Sequence, residues 1–243
     1  MCKSMVGLIY RILDFFLPRI CPICGGRLSL SEEQLCLSCL LKLPRTAYDT
    51  NTKRNEVKYF FELKIPIVRA ASYMRYMPNS DSANVIKAIK YHKGKGLAKM
   101  MGRMMAEEFS IAKPNFFDGV DMIIPMPLTR KRYRKRGYNQ AEELCKGIAE
   151  VTNLEINTTA VKRKYFKISQ TQLARYERYA NVTNAFECVS PEILNGKHIL
   201  LVDDVVTTGA TLLSLADSIV EQTEGVNFSV LTLGVTGELK HIR

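Results

Sequence analysis

The sequence predicts an α/β fold, a mostly parallel sheet covered by helices. Three observations predict it. Short apolar runs alternate with amphipathic stretches through most of the chain, the order expected of βα repeats. The apolar runs are strand-length and continuous, as in strands buried on both faces. One of them runs into an acidic pair and a Thr/Gly turn that opens a helix, where parallel sheets bind ligands.

In chain order, residues 1–16 carry Met5, Leu8, Ile9, Ile12, Phe15 and Phe16 at helical spacing, interrupted by Arg11 and Asp14 and closed by Pro18. Those charges argue against a membrane span or a signal peptide. The helix is expected to pack on the protein itself, with peripheral membrane association as the lesser option. Residues 1–44 read as a small N-terminal module, 45–66 as a linker and 67–243 as the main domain. The linker reading rests on Thr46, Asp49, Thr50, Asn51, Thr52 and Asn55, a polar run without apolar period. Beyond it, strands are expected over 67–76, 122–125, 199–202 and 228–235, and helices over 82–91, 97–109, 140–152 and 211–222.

Seven cysteines in 243 residues are too few for a disulfide scaffold and fit a reducing cytoplasm. Four of them, Cys21, Cys24, Cys36 and Cys39, form two Cys-x-x-Cys pairs separated by eleven residues. Two such knuckles can deliver four thiolates tetrahedrally to one structural Zn2+, and Gly25-Gly26 allows the tight backbone a knuckle needs. A redox or accidental pairing is the alternative. Cys2, Cys145 and Cys188 stand alone and read as unreactive. The three histidines have no serine or carboxylate pattern around them, so none is read as catalytic.

Ile199 to Val202 form an apolar strand, and Asp203 and Asp204 follow where it ends. Thr207, Thr208, Gly209, Ala210 and Thr211 then begin a helix. Their hydroxyls, the close backbone approach at glycine and the free N–H groups of a helix start suit a phosphate monoester. The two carboxylates suit vicinal ribose hydroxyls and can steady a cationic sugar carbon. A capped helix after an ordinary strand is the plainer alternative.

Arg130 to Arg136 place six cations in seven positions. For any one of them a solvated loop is the simpler reading. Together they suit a small polyanion, or single-stranded nucleic acid with Tyr133 or Tyr138 stacking on a base. Asn139 reads equally as a helix cap, with Glu142 three residues on, or as a site residue. Lys90, at a helix end, complements the dipole or binds a phosphate.

The segment from Leu200 to Leu212 resembles the 5-phosphoribosyl-1-pyrophosphate (PRPP) signature of type I phosphoribosyltransferases. With the paired cysteines, Ile89-Lys90-Tyr91, Ile124-Pro125-Met126-Pro127-Leu128, Arg136-Gly137-Tyr138-Asn139-Gln140-Ala141 and Ser169-Gln170-Thr171-Gln172, the chain resembles the ComF family of competence-associated, amidophosphoribosyltransferase-like proteins. That resemblance implies the type I fold, about five parallel strands with flanking helices and a hood. It implies a pyrophosphate turn at Pro125, Met126, Pro127, Leu128, Thr129 and Arg130, where Met126 departs from the usual Pro-Val-Pro. It implies a flexible lid over 163–178, with Gln170 and Arg178 at recurrent positions and Lys90, Arg132 and Arg136 as further basic candidates. It also implies PRPP with Mg2+, and a role in DNA uptake and handling of internalised single-stranded DNA. A non-catalytic DNA-binding accessory protein is the rival, and docking of the N-terminal module on a DNA-uptake translocation motor is a third reading.

Lys and Arg number 35 against 24 Asp and Glu, a formal charge of +11, with 47% hydrophobic residues. That composition excludes a disordered tail or a fibrous repeat. Windows 84–103, 130–136 and 161–178 hold eighteen of the cations and one acid, Glu177. The basic charge is therefore local, beside the expected ligand loops, and the rest of the chain is mildly acidic.

Overall fold

A computed structural model describes residues 16–46, 55–91, 94–164 and 185–237. In chain order these form α1 (Leu37–Leu41), α2 (Glu56–Glu62), β1 (Ile67–Arg75), α3 (Asp81–Tyr91), α4 (Lys95–Ala112), β2 (Met122–Pro125), α5 (Arg130–Arg136) and α6 (Gln140–Thr152). The remainder are β3 (Glu155–Ile156), β4 (Val161–Arg163), β5 (Phe186–Cys188), a 3-10 turn (Pro191–Ile193), β6 (His198–Val206), α7 (Ala210–Val220) and β7 (Asn227–Val235). Five strands make one parallel sheet in the order β1-β7-β6-β2-β3, and β4 and β5 form a separate antiparallel hairpin.

Burial explains the order. In β6, Ile199, Leu200, Leu201 and Val202 are all buried, as are Phe228, Val230, Leu231 and Leu233 in β7. Strands apolar on both faces take the centre of a sheet covered on both sides. The helices close on it tightly: a Cβ on Gly102 of α4 would lie 2.0 Å from the Leu144 carbonyl oxygen of α6, and one on Gly147 would lie 1.9 Å from that of Lys99. Only glycine permits that approach. Along the outer edge of β1, Arg75 N–H donates to the Pro44 carbonyl (2.8 Å), Thr46 Oγ1 to Ser72 O (2.6 Å) and Asn55 Nδ2 to Ala70 O (2.5 Å).

The four expected strands and four expected helices are present, with ends displaced by at most a few residues. Three expectations are corrected. Residues 56–62, assigned to the linker, form α2: Asn55 Oδ1 caps it by accepting from Lys58 N (3.0 Å), and Val57, Phe60 and Phe61 bury one face. The cationic run 130–136 is helix rather than loop, because Thr129 Oγ1 accepts from Arg132 N (3.2 Å) and Gly137 closes the C-terminus. The strand expected to end at Val202 continues to Val206, because Val205 and Val206 still pair with Gly234 and Val235 of β7. Asp203 and Asp204 therefore lie within the strand's last turns of pleat, not beyond it. The short strands β3, β4 and β5 had no apolar period to announce them. The N-terminal helix of 1–16, apart from Phe16, lies outside the described residues, as do Cys2, Gln170 and Arg178. Among the described residues no helix is long and apolar enough to cross a membrane.

Candidate functional site

The carboxyl ends of β6 and β2 bring the acidic pair and the proline turn side by side. Pro125 pairs with Val202, and the chain stays attached one residue further on, where Met126 N–H donates to the Val202 carbonyl (2.8 Å). Met126 is buried, so its side chain fills core while its backbone shapes the turn. Asn139 holds the turn from the other side. Its Oδ1 caps α6 by accepting from Ala141 N (3.1 Å), and its Nδ2 donates to Met126 O (3.0 Å). Asn139 thus caps α6, as one of its two readings expected, and also tethers the turn. Glu142 faces Lys146 (3.2 Å).

Asp203 Oδ1 accepts from Asp204 N (2.7 Å), and Asp204 Oδ1 from Val205 N (2.8 Å). Lys90, at the end of α3, places its ammonium 2.9 Å from Asp204 Oδ2, close enough for an ion pair though not aligned as a hydrogen bond. Desolvation by the sheet, then the neighbouring Asp204 charge, pushes the Asp203 carboxyl up to about 8.

Thr207 and Thr208 are exposed at the turn into α7, with Thr208 Oγ1 accepting from Ala210 N at 3.5 Å; Ala210 and Thr211 begin the helix half-buried. Gly209 adopts φ +70, and a Cβ there would lie 2.2 Å from the Phe60 ring of α2. Helix α2 therefore walls the Thr207–Thr211 turn, a contact the linker reading missed. Thr129 and Arg130 start α5, whose Arg132 and Arg134 are exposed, while Arg136 donates to Gln140 Oε1 (2.7 Å). Tyr138 is buried and its hydroxyl donates to the Ile89 carbonyl, so it cannot stack on a base. Tyr133 (51% exposed) can, and so can Tyr91 (57% exposed), which lies beneath the cations of Lys135 and Arg136 at 5.5 and 5.7 Å. Arg163, expected as the first residue of the lid, belongs to β4.

A second centre lies near the N-terminus. The sulfurs of Cys21, Cys24, Cys36 and Cys39 all lie within 4.8 Å of one another. Gly25 N–H donates to Cys21 O (2.9 Å), Gly26 N–H to Cys24 Sγ (3.4 Å) and Cys39 N–H to Cys36 Sγ (3.4 Å), the backbone wrapping of metal knuckles. Burial and then the sister thiols hold the Cys39 thiol far above its ordinary value. Four thiolates at this separation therefore need a cation among them, and the donor set can bind a metal ion such as zinc. None of the described cysteines forms a disulfide; Cys145 and Cys188 are buried. The module is joined to α4 by Arg103 to Glu33 at 2.7 Å.

No protein-family model matches the chain. Among curated proteins it is 28% identical to DNA utilization protein YhgH of Escherichia coli over 198 residues, covering 81% of this chain and 82% of that one. It is 26% identical to competence protein F of Haemophilus influenzae (83% and 90% covered) and 24% to competence protein ComFC of Bacillus subtilis (88% and 77%). Among solved structures it is similar to the glutamine PRPP amidotransferase of B. subtilis, with TM-score 0.36, 18% identity and 55% of this chain covered; the match spans a quarter of that enzyme. A hypoxanthine phosphoribosyltransferase of Trypanosoma cruzi gives TM-score 0.39, 14% identity, and 61% and 69% covered. Across most of its length the chain is a homologue of competence protein F, ComFC and DNA utilization protein YhgH.

Proposed function

We propose that this is a PRPP-binding, phosphoribosyltransferase-like protein of the ComF type, acting in natural competence and the handling of internalised single-stranded DNA. The observation that carries the reading is the convergence on Asp203 and Asp204 of the Thr207–Thr211 turn, the Pro125–Thr129 turn and the Lys90 ammonium, at the carboxyl ends of two adjacent parallel strands. The domain boundaries expected from the sequence are kept, except that α2 joins the main domain.

Asp203 and Asp204 accept the ribose hydroxyls and, once ionised, favour positive charge at C1. Thr207, Thr208, Gly209, Ala210 and Thr211 hold the 5-phosphate through hydroxyls and backbone N–H groups. Pro125 to Arg130 hold the diphosphate. The C1–O bond breaks with its electron pair leaving on pyrophosphate, and a nucleophile's lone pair closes on C1 as its proton departs. Mg2+, carried mostly by substrate oxygens and water, supplies charge neutralisation on the diphosphate when bound. Zn2+ on the four cysteines is structural, since all four tetrahedral positions are taken. The metal-type spacing of the cysteines supports a cytoplasmic location.

Calorimetry with PRPP and Mg2+ tests the reading, followed by a screen of acceptors for pyrophosphate release. PRPP binds the wild type, and Asp204→Asn loses at least tenfold in affinity. No binding, or unchanged binding by the variant, overturns the site.

A single-stranded DNA surface is the second reading, favoured by a specific observation. Helix α5 buries none of its side chains, and its cations flank the exposed rings of Tyr91 and Tyr133.

A further inference from the structure

Beside the proline turn, on the side away from β6, lies a cavity of about 400 Å³. Pro127 and Leu128 of the turn form one wall, Asn157 and Thr158 after β3 another, and the β4 end of the hairpin a third. Four cations line it, Arg130, Arg134, Lys162 and Arg163, against one acid, Glu142, whose charge is already met by Lys146 at 3.2 Å.

Arg163 differs from the other three. Arg130, Arg134 and Lys162 are exposed, whereas Arg163 is half-buried, its guanidinium 5.1 Å from the centre of the Phe186 ring that pairs with it across the hairpin. The other partly buried arginines are partnered, Arg45 with Glu108 (3.1 Å), Arg75 with Glu56 (2.7 Å) and Arg103 with Glu33 (2.7 Å) as ion pairs, and Arg69 and Arg136 as donors to Asp118 O (2.7 Å) and Gln140 Oε1 (2.7 Å). Among the described residues Arg163 has neither a carboxylate nor a hydrogen-bond acceptor. Burial, then the like charge of Arg132, disfavours its cationic form, and only the smaller pull of Asp203 opposes them. A guanidinium kept partly dry, against like charge and without an anion, is arranged for an anion that arrives later.

Resting on the PRPP reading above, we propose that Arg163 is a pyrophosphate-binding residue. Held on the paired strand β4, it lines the cavity together with the Pro125–Thr129 turn and binds the diphosphate end of PRPP in a two-pronged fashion. The cavity abuts β2, the neighbour of β6 in the sheet, so that end lies one strand away from the ribose held at Asp203 and Asp204, and Arg130 and Lys162 supply outer charge. The same contact stabilises the charge that collects on pyrophosphate as the C1–O bond breaks.

The test uses the full chain and three probes with Mg2+: PRPP, inorganic pyrophosphate and ribose 5-phosphate. Arg163→Gln is expected to weaken PRPP and pyrophosphate about 10- to 100-fold while leaving ribose 5-phosphate within about twofold, a ratio set by the absence of any phosphate loop contact at Arg163. Arg163→Lys restores part of the loss, since charge without the planar fork recovers only the monodentate component. Asp204→Asn gives the opposite pattern, losing ribose 5-phosphate and sparing pyrophosphate. Thermal unfolding of each variant separates a merely structural role, in which Arg163→Gln lowers the melting temperature and leaves all three affinities unchanged; that result overturns the proposal. Wild-type binding of pyrophosphate without Arg163 dependence also overturns it while leaving the ribose site standing. Failure of ribose 5-phosphate to bind, with Arg163-dependent pyrophosphate binding intact, refutes the wider PRPP reading and keeps the diphosphate site.

Discussion

Replacing Asp203 by asparagine should stabilise the unliganded protein, and the gain should grow with pH. The folded carboxyl titrates at about 8 rather than near the ordinary 3.8. Between those limits the folded protein binds a proton that the unfolded chain has released, so stability falls as pH rises through that window. Below about pH 4 both states are protonated and the contribution is intact; above about pH 8 it is fully lost. Each pH unit of the interval corresponds to about 1.4 kcal/mol, which sets a ceiling of about 6 kcal/mol. The residue is half-buried and Lys90 stands nearby, so water entry and relaxation reduce the expected effect to about 2 kcal/mol. Asparagine keeps the shape and does not ionise. In thermal unfolding from pH 4 to pH 9 without ligand, Asp203→Asn and wild type should coincide at the acid end and separate by about 4–8 °C at pH 8 to 9. A constant separation across the range, or a variant less stable than wild type at pH 8, would refute the desolvated-pair reasoning.

Gly209→Ala must hold a left-handed residue and displace the Phe60 ring; denaturant unfolding should show a loss of about 2–4 kcal/mol, partly recovered when Phe60 is also shortened to leucine. Asn139→Ala removes cap and tether together, whereas Asn139→Asp keeps the cap but cannot donate to Met126 O. The alanine variant should lose about 1–2 kcal/mol of stability; both should weaken PRPP binding in calorimetry, and an aspartate variant binding like wild type would dismiss the tether. Metal analysis should return one zinc per chain, and Cys39→Ser should abolish it and lower the melting temperature while PRPP binding survives. Single-strand affinity should fall steeply with salt, and neutralising Arg132, Arg134 and Lys135 should flatten the slope by about 2; an unchanged slope would remove the α5 surface as a DNA site.

Much of this arrangement was legible because it is written locally. Strand and helix periods, the contiguous Asp-Asp and Thr/Gly run, and the spacing of two cysteine pairs each declare themselves within a few residues, and four sulfurs within 4.8 Å of one another match what that spacing requires. Helix α2 escaped notice because its polar cap residue, Asn55, belongs to a run that reads as linker, and three apolar residues after it are too few to establish a period. The cationic α5 escaped for a different reason: repulsion among six like charges disfavours an isolated helix, and only the Thr129 cap and Gly137 closure at either end hold it.

The amino-acid sequence by itself determined the fold class, the acidic pair with its phosphate-type turn, the metal-type cysteines and the concentration of positive charge in three windows. Tertiary structure alone decided which distant residues meet. Lys90 reaches Asp204, separated by more than a hundred residues; Phe60 walls Gly209; Asn139 ties α6 to the Met126 turn; Tyr138 turns inward while Tyr91 faces solvent. The physical reason is that residue type and spacing encode local conformation and intrinsic chemistry, whereas desolvation and pairing depend on neighbours brought together by strand order. Arg163 carries the same charge as its neighbours in the sequence, and only the hairpin that partly buries it beside the proline turn without an anion distinguishes it from them.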